Sequence, residues 1–206
     1  MKMNDKERMI NGELYIANTK ELYEDYLINR EFLDRFNNTS YLDFPTRRLL
    51  VEEHFKHVEK NVCINKPFHC DYGYNISVGD NFYANYDCIF LDVCPITIGD
   101  NVFIAPRVNI FTAAHPIDKD VRNTALEYGR PVTIGNDVWI CGGVTINPGV
   151  TIGDNVVIGS GSVVIKDIPS NVVAAGNPCK VIRNITNIDK EYWENEKKKY
   201  YQDLNK

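Results

Sequence analysis

The sequence predicts a mainly β fold, a parallel β-helix built from six-residue units, and three observations carry that expectation. From Val132 to Asp167 every sixth residue is aliphatic: Ile134, Ile140, Ile146, Ile152, Ile158 and Val164. Two positions before each stands a second small residue, Val132, Val138, Val144, Val150 and Val156, with Ser162 the one exception. A period of six fits neither an α-helix nor a plain alternating strand, and suits a short strand plus a corner repeated in stacked coils. The corners are the second observation. They are Gly, Asn and Asp, as in Gly153-Asp154-Asn155, residues that tolerate the backbone angles of a tight turn. The third is that the phase recurs upstream, at Val78, Ala84 and Phe90 and again at Ile98, Ile104 and Ile110.

In each V-x-I triplet the outer two side chains point into the coil and the middle one points out. Thr133, Trp139, Thr145, Thr151, Val157 and Val163 are therefore outward. Three such sides close one coil, and stacked coils bury a continuous aliphatic column. Two extra residues intrude near Asp92-Val93-Cys94-Pro95. The stretch 111–131 leaves the pattern and reads as a loop thrown outward, of a length that is usually functional or disordered.

Residues 1–60 form an N-terminal helical segment. A first short helix ends near Gly12. Thr19 begins a second, which runs to about Phe36 with Leu22, Tyr26 and Leu33 on one face. Pro45 opens a third, with Leu49, Leu50 and Phe55 apolar and with His54 and His57 both on it. Those two histidines lack a third ligand and read as locally hydrogen-bonded. Residues 61–185 are the solenoid. Val62–Asp71 leads in, and Val181-Ile182 is expected to close the last coil. Residues 186–206 form a helical tail containing Trp193 and the solvated run Lys197-Lys198-Lys199.

A chain of 206 residues suffices for one domain, and its net charge of -5 argues against general attraction to nucleic acid or an anionic membrane. No apolar run approaches a membrane span, and the charged N-terminus does not read as a signal peptide. The six cysteines contain no C-x-x-C pair and are expected to be reduced and packed, which implies a cytoplasmic protein.

Three features could carry chemistry. His115, at the start of the external loop, suits proton transfer near neutral pH or is simply a surface histidine. Trp139 points out among Thr and Val and needs a partner surface, either a ligand or another subunit. Lys166, Lys180 and Arg183 concentrate cations near one end of an acidic chain, as a phosphate-bearing ligand requires, or are scattered surface charge.

Taken together the motifs resemble the hexapeptide-repeat acyltransferases, in particular the maltose and galactoside O-acetyltransferases. The resemblance rests on Met9-Ile10-x-Gly12-Glu13-Leu14-Tyr15, Asp71-Tyr72-Gly73, Asn81-Phe82-Tyr83-Ala84-Asn85 and Leu91-Asp92-Val93-Cys94-Pro95-Ile96. It continues in His115-Pro116-Ile117-Asp118, Ile134 to Ile140, Ile146 to Val150, Lys166 to Pro169 and Gly176-Asn177-Pro178. It implies a left-handed β-helix, a homotrimer with intersubunit sites, acetyl-CoA as cosubstrate, a sugar acceptor and no required metal. His115 matches the catalytic histidine and Asn85 a residue that positions the reacting groups. Asp71, Tyr83, Asp92 and Glu127 match positions lining the acceptor pocket. Trp139, Gly142, Ser160, Ile165, Lys166, Lys180 and Arg183 match positions around CoA, with the Gly142 N–H as oxyanion donor. Ala17, Asp71 and Glu127 depart from the galactoside enzyme and lean toward the maltose branch. Other readings on the same scaffold are a xenobiotic or nucleotide-linked sugar as acceptor, or a trimeric binding protein without turnover. A zinc enzyme would need three histidines on adjacent coils, where the solenoid offers only His115 and, at its entrance, His69.

Overall fold

A computed structural model describes residues 3–204, so the outermost pair of residues at each end of the expected segments lies outside it. Three parallel stacks of short strands form the column. One stack holds His57–Val58, Ile76–Val78, Ile96–Ile98, Val132–Ile134 and Thr151–Ile152. The next holds Cys63–Ile64, Tyr83–Ala84, Phe103–Ile104, Trp139–Ile140, Val157–Ile158 and Val172–Ala175. The last holds Phe68–Cys70, Cys88–Leu91, Asn109–Phe111, Thr145–Ile146 and Val163–Val164. The six-residue phase maps onto this without error. Ile134, Ile140, Ile146, Ile152, Ile158 and Val164 are all buried, as are their valine partners. Ser162 also points inward. Its hydroxyl donates to Gly159 O at 2.5 Å and accepts from Gly176 N at 3.0 Å, so the one polar residue among the inward positions from Val132 to Val164 is satisfied.

The corners explain the Asn and Asp of the repeat. Asn61, Asn81, Asn101, Asp137, Asn155 and Asn171 all have φ between 52° and 62°, the left-handed region that Asn and Asp tolerate best among residues with a Cβ. Their side chains also stack. Asn61 Nδ2 donates to Asn81 Oδ1 at 3.0 Å, Asn81 to Asn101 at 2.8 Å, and Asn101 to Asp137 at 3.0 Å. Each coil thus hands its corner on to the next.

Helices α2 (Lys20–Asn37) and α3 (Phe44–His54) cover one end of the column, whereas α1 (Asp5–Ile10) packs through Met9 into a second, separate core with Tyr15, Leu22, Tyr72 and Val93. α1 carries a reciprocal capping box between Asn4 and Glu7, and α2 is capped by Thr19. Two apolar assignments need correction. Tyr26 and Leu49 are exposed, because the buried stripe runs through Leu22, Asn29, Phe32, Leu33 and Phe36 on α2 and through Leu50 and Val51 on α3. His57 is not on α3, which ends at His54; it lies on the first strand of the solenoid.

His54 stacks on Phe32 at 4.0 Å between ring centroids and meets Asn29 Oδ1 through Nε2 at 2.9 Å. Burial lowers its pKa from 6.5 to about 4. A base held neutral when folded gives stability that is present above pH 6.5 and lost as pH falls toward 4. His54→Gln should therefore shrink the drop in denaturation midpoint between pH 6.5 and 4; an unchanged slope would remove His54 from the acid response.

The stretch 111–131 is more ordered than an open loop. Ala113–Ala114 and Leu126–Gly129 pair antiparallel, α4 (Lys119–Arg122) lies between them, and Tyr15–Ile16 pairs with Leu126–Gly129 on the other side. A Cβ on Gly129 would sit 2.4 Å from Cys94 Sγ, so glycine is what lets this hairpin lie against the coil. At the other end Val181 and Ile182 do not close a coil. Lys180–Asn184 turns back antiparallel to Val172–Ala175 and is exposed throughout, before α5 (Asn187–Leu204), which buries none of its residues.

Candidate active site

The expected site residues fall into three groups. The first stands at the corner that follows the Phe68–Cys70 and Cys88–Leu91 strands. Asp92 is fully buried there. Its carboxylate accepts the backbone N–H groups of Asp71 and Tyr72, each at 2.9 Å, and of Asn75 at 3.3 Å. Asn75 Nδ2 returns a bond to Asp92 O at 2.7 Å. The expected sugar contact at Asp92 is therefore revised: its oxygens are spent inside the protein, holding the Asp71–Asn75 turn in shape. Burial raises its pKa to about 7 against the pull of those amides.

Asp71, half-buried on that turn, is pushed up to about 6, chiefly by burial and further by Glu127, while Arg30 opposes the shift. Glu127 lies on the returning hairpin strand in register with Tyr15, whose hydroxyl donates to Glu127 Oε2 at 3.1 Å. Tyr15 is 1% exposed, and burial next to Glu127 keeps its phenol protonated. In the sequence Tyr15 stands out only as part of a motif; its pairing with a residue 112 positions away has no local signal. His115 follows directly on Ala113–Ala114. Its side chain is exposed and makes no hydrogen bond among the described residues.

The second group lies on a different side of the column. Register places Tyr83, Phe103, Trp139 and Val157 in one outward row, one per coil. Tyr83 and Phe103 are 6.4 Å apart between centroids, and Phe103 and Trp139 are 53% and 52% exposed. With Asn85 they line a groove of about 340 Å³. Asn65 Nδ2 donates to the Tyr83 hydroxyl at 2.9 Å and fixes that ring. The Asn85 side-chain oxygen accepts from Tyr86 N at 2.9 Å. The sequence signals Phe103 only through the row of outward aromatics, and that row becomes visible only once the register is known.

The third group continues toward the C-terminal end. Gly142 follows the Trp139–Ile140 strand; its carbonyl accepts from Gly161 N at 2.9 Å, while its own N–H has no partner among the described residues. Ser160 is exposed on the next coil, beside the Cys141 thiol. Ile165 and Lys166 are exposed at the following corner, and Lys180 is exposed on the antiparallel strand. Lys166 and Lys180 have no ion-pair partner among the described residues. Arg183 differs: it holds Asp189 of α5 in a bidentate pair at 2.8 and 2.9 Å.

Comparison with known proteins places the chain in a family. Residues 131–166 match the family model described as bacterial transferase hexapeptide (six repeats), and residues 8–59 match the maltose acetyltransferase hexapeptide capping motif. The chain is 44% identical to the galactoside O-acetyltransferase of Escherichia coli over 94% of its own length and 95% of that protein. The chain belongs to the hexapeptide-repeat acetyltransferases. A crystal structure of a maltose O-acetyltransferase from Clostridium difficile superposes on this acetyltransferase with a TM-score of 0.88 at 54% identity, covering 89% of this chain and 98% of the other. A galactoside acetyltransferase solved in complex with coenzyme A superposes with a TM-score of 0.88 at 45% identity, over 92% and 94%. No group of three or more His, Cys, Asp or Glu among the described residues is placed to hold a metal, and no described helix is long and apolar enough to cross a membrane.

Proposed function

We propose that this acetyltransferase carries the acetyl group of acetyl-CoA to a hydroxyl of a sugar, in sites formed between the subunits of a homotrimer. One observation carries the reading. His115, Asp71 and Glu127 stand off one corner of the column, whereas Asn85, Tyr83 and Trp139 line a groove on another side. Packing three such columns about an axis sets the corner of one subunit against the groove of the next, and makes one reaction centre from two half-sites. In that centre the His115 imidazole takes the proton from the acceptor hydroxyl as its oxygen attacks the thioester carbonyl. The oxyanion of the tetrahedral intermediate receives the unpaired Gly142 N–H. Collapse breaks the C–S bond, and the CoA thiolate recovers the proton from the imidazolium. No acetyl-enzyme forms. Asn85 orients the acceptor. Asp71, Tyr83 and Glu127 bond the sugar hydroxyls, with Asp92 and Tyr15 holding Asp71 and Glu127 in place. Trp139 borders the pantetheine arm.

Ser160, Ile165, Lys166, Lys180 and Arg183 take the rest of CoA, the cations serving its phosphates. Because Arg183 is already engaged by Asp189, Lys180 carries more of that charge. Lys180→Ala should raise KM for acetyl-CoA about tenfold at low salt, the worth of one charge-assisted contact, with kcat nearly unchanged. Asp189→Ala should lower it by freeing Arg183. Equal KM values in both variants would detach these cations from CoA. Cytoplasmic residence belongs to the same reading, since all six thiols are free, as a reducing compartment leaves them.

The deciding assay incubates the enzyme with acetyl-CoA and a panel of mono- and disaccharides, following thiol release and the mass gain of one acetyl group. Sugar-dependent release supports the proposal. Release with other acceptor classes only would keep the chemistry and change the substrate, and no release with any acceptor would leave a binding scaffold.

A further inference from the structure

Between the start of α3 and the Cys63–Ile64 strand lies a groove of about 460 Å³, within the range of small-molecule sites. Its walls are mostly hydrocarbon: Phe44, Pro45, Val51, Val62 and Ile64. Arg47 also lines it and is only 3% exposed. The guanidinium packs over the Phe44 ring at 4.6 Å. Nη1 donates to Ser40 O at 2.5 Å and to Thr39 Oγ1 at 3.4 Å, and Nη2 donates to Tyr41 O at 3.1 Å. Every one of these acceptors is neutral. Nε, also buried, has no acceptor at all among the described residues. Arg48 also lines the groove but, in contrast, is paired: it meets Glu52 at 2.6 Å and donates to Glu59 O at 3.2 Å.

A buried cation with an unmet donor and no counter-ion is costly, and a ligand of opposite charge relieves that cost. The rest of the groove selects what that ligand can be. A phosphate dianion needs several donors or a second cation, and Arg48 is already occupied. The apolar walls suit a hydrocarbon body of a few carbons. We propose that this groove is a binding site for a small organic monocarboxylate with a short apolar tail, seated against Arg47 and independent of the acetyl-transfer centre.

Cys63 supplies a reporter. It lines the same groove and is half-buried. Burial raises its thiol pKa while the Arg47 charge partly offsets this, which places the thiol within reach of the guanidinium's field. Of the other cysteines only Cys141 is comparably open, and it stands three coils away on the same face of the column.

The test uses the intact enzyme. Cys63 and Cys141 are alkylated with iodoacetamide in the presence of hexanoate, hexan-1-ol or hexylammonium, and each modified peptide is quantified by mass. Hexanoate should slow alkylation of Cys63 about tenfold once its concentration exceeds Kd tenfold, leave Cys141 unchanged, and act far better than the alcohol or the amine. Arg47→Met should abolish the protection. If that variant fails to fold, the three-ligand comparison on the unaltered enzyme decides by itself. Equal protection by hexan-1-ol would reduce the site to an apolar crevice and overturn the proposal. So would hexanoate protecting neither cysteine or both alike, or a Cys63 that no reagent reaches.

Discussion

His115→Ala should lower kcat/KM by about 10²–10⁴-fold, the usual share of a positioned general base, while leaving thermal stability unchanged. Stability is spared because the ring is exposed and bonded to nothing among the described residues, so its removal opens no cavity and orphans no buried group. Affinity for acetyl-CoA should also hold, since in the proposed reaction the imidazole meets the acceptor proton rather than the cosubstrate. Asn85→Ala should be similarly slow. The two defects differ in where they fall. If the centre takes His115 from one subunit and Asn85 from the next, coexpressing the two inactive chains creates interfaces in which both residues are intact. Random assembly of a three-membered ring makes about one interface in four whole, so about a quarter of wild-type activity should return. A mixture as dead as its parents would mean that both residues act within one protomer. Near-normal turnover by His115→Ala alone would remove the histidine from the chemistry.

The column was legible because a six-residue period admits one structural solution, and each buried residue from Val132 to Val164 can be named by counting. What counting could not reach is burial imposed from outside the repeat. Val181 and Ile182 are apolar and follow a solenoid, yet no layer covers the strand they form, so they face water. His57 follows a helical pattern into the first strand because the Ile76–Val78 strand was waiting to pair with it, at a distance in sequence no local window spans. The same holds at the candidate site. Motifs located Asp71, Asn85, His115 and Trp139 on real surfaces. They also marked Asp92 as a sugar contact, because a carboxylate in a motif looks alike whether it faces a ligand or three backbone amides. The Arg183–Asp189 pair and the row Tyr83–Phe103–Trp139 likewise need coordinates: one is set by a strand-to-helix turn and the other by register between coils.

The largest loss of stability should come from Phe68→Ala, at about 3–5 kcal/mol. Phe68 is fully buried at the foot of its strand stack. Its ring meets Phe90 edge-on at 5.1 Å within the column, Phe55 at 5.9 Å just beyond α3, and Phe36 at 6.2 Å on α2. One side chain therefore joins the helices to the first coil. A stack of repeats owes its stability to contacts between neighbours, and an uncovered terminal coil exposes the aliphatic interior. Removing Phe68 costs the transfer of the ring, leaves a cavity that rigid coils cannot close, and loosens the cover over the open end. The third effect separates this site from an interior one. Hydrogen exchange in Phe68→Ala should speed up most at Ile64 and Ala84, in the coils beneath the helices, and least at Ile140 and Ile158. A deletion of the same chemistry higher up, Phe90→Ala, should cost a comparable cavity without that gradient. If Phe68→Ala were to cost less than about 1.5 kcal/mol, or raised exchange evenly along the column, α2 and α3 would be passengers rather than the closure. The periodic core would then have to hold its own end against water, which an aliphatic column with an open base is poorly built to do.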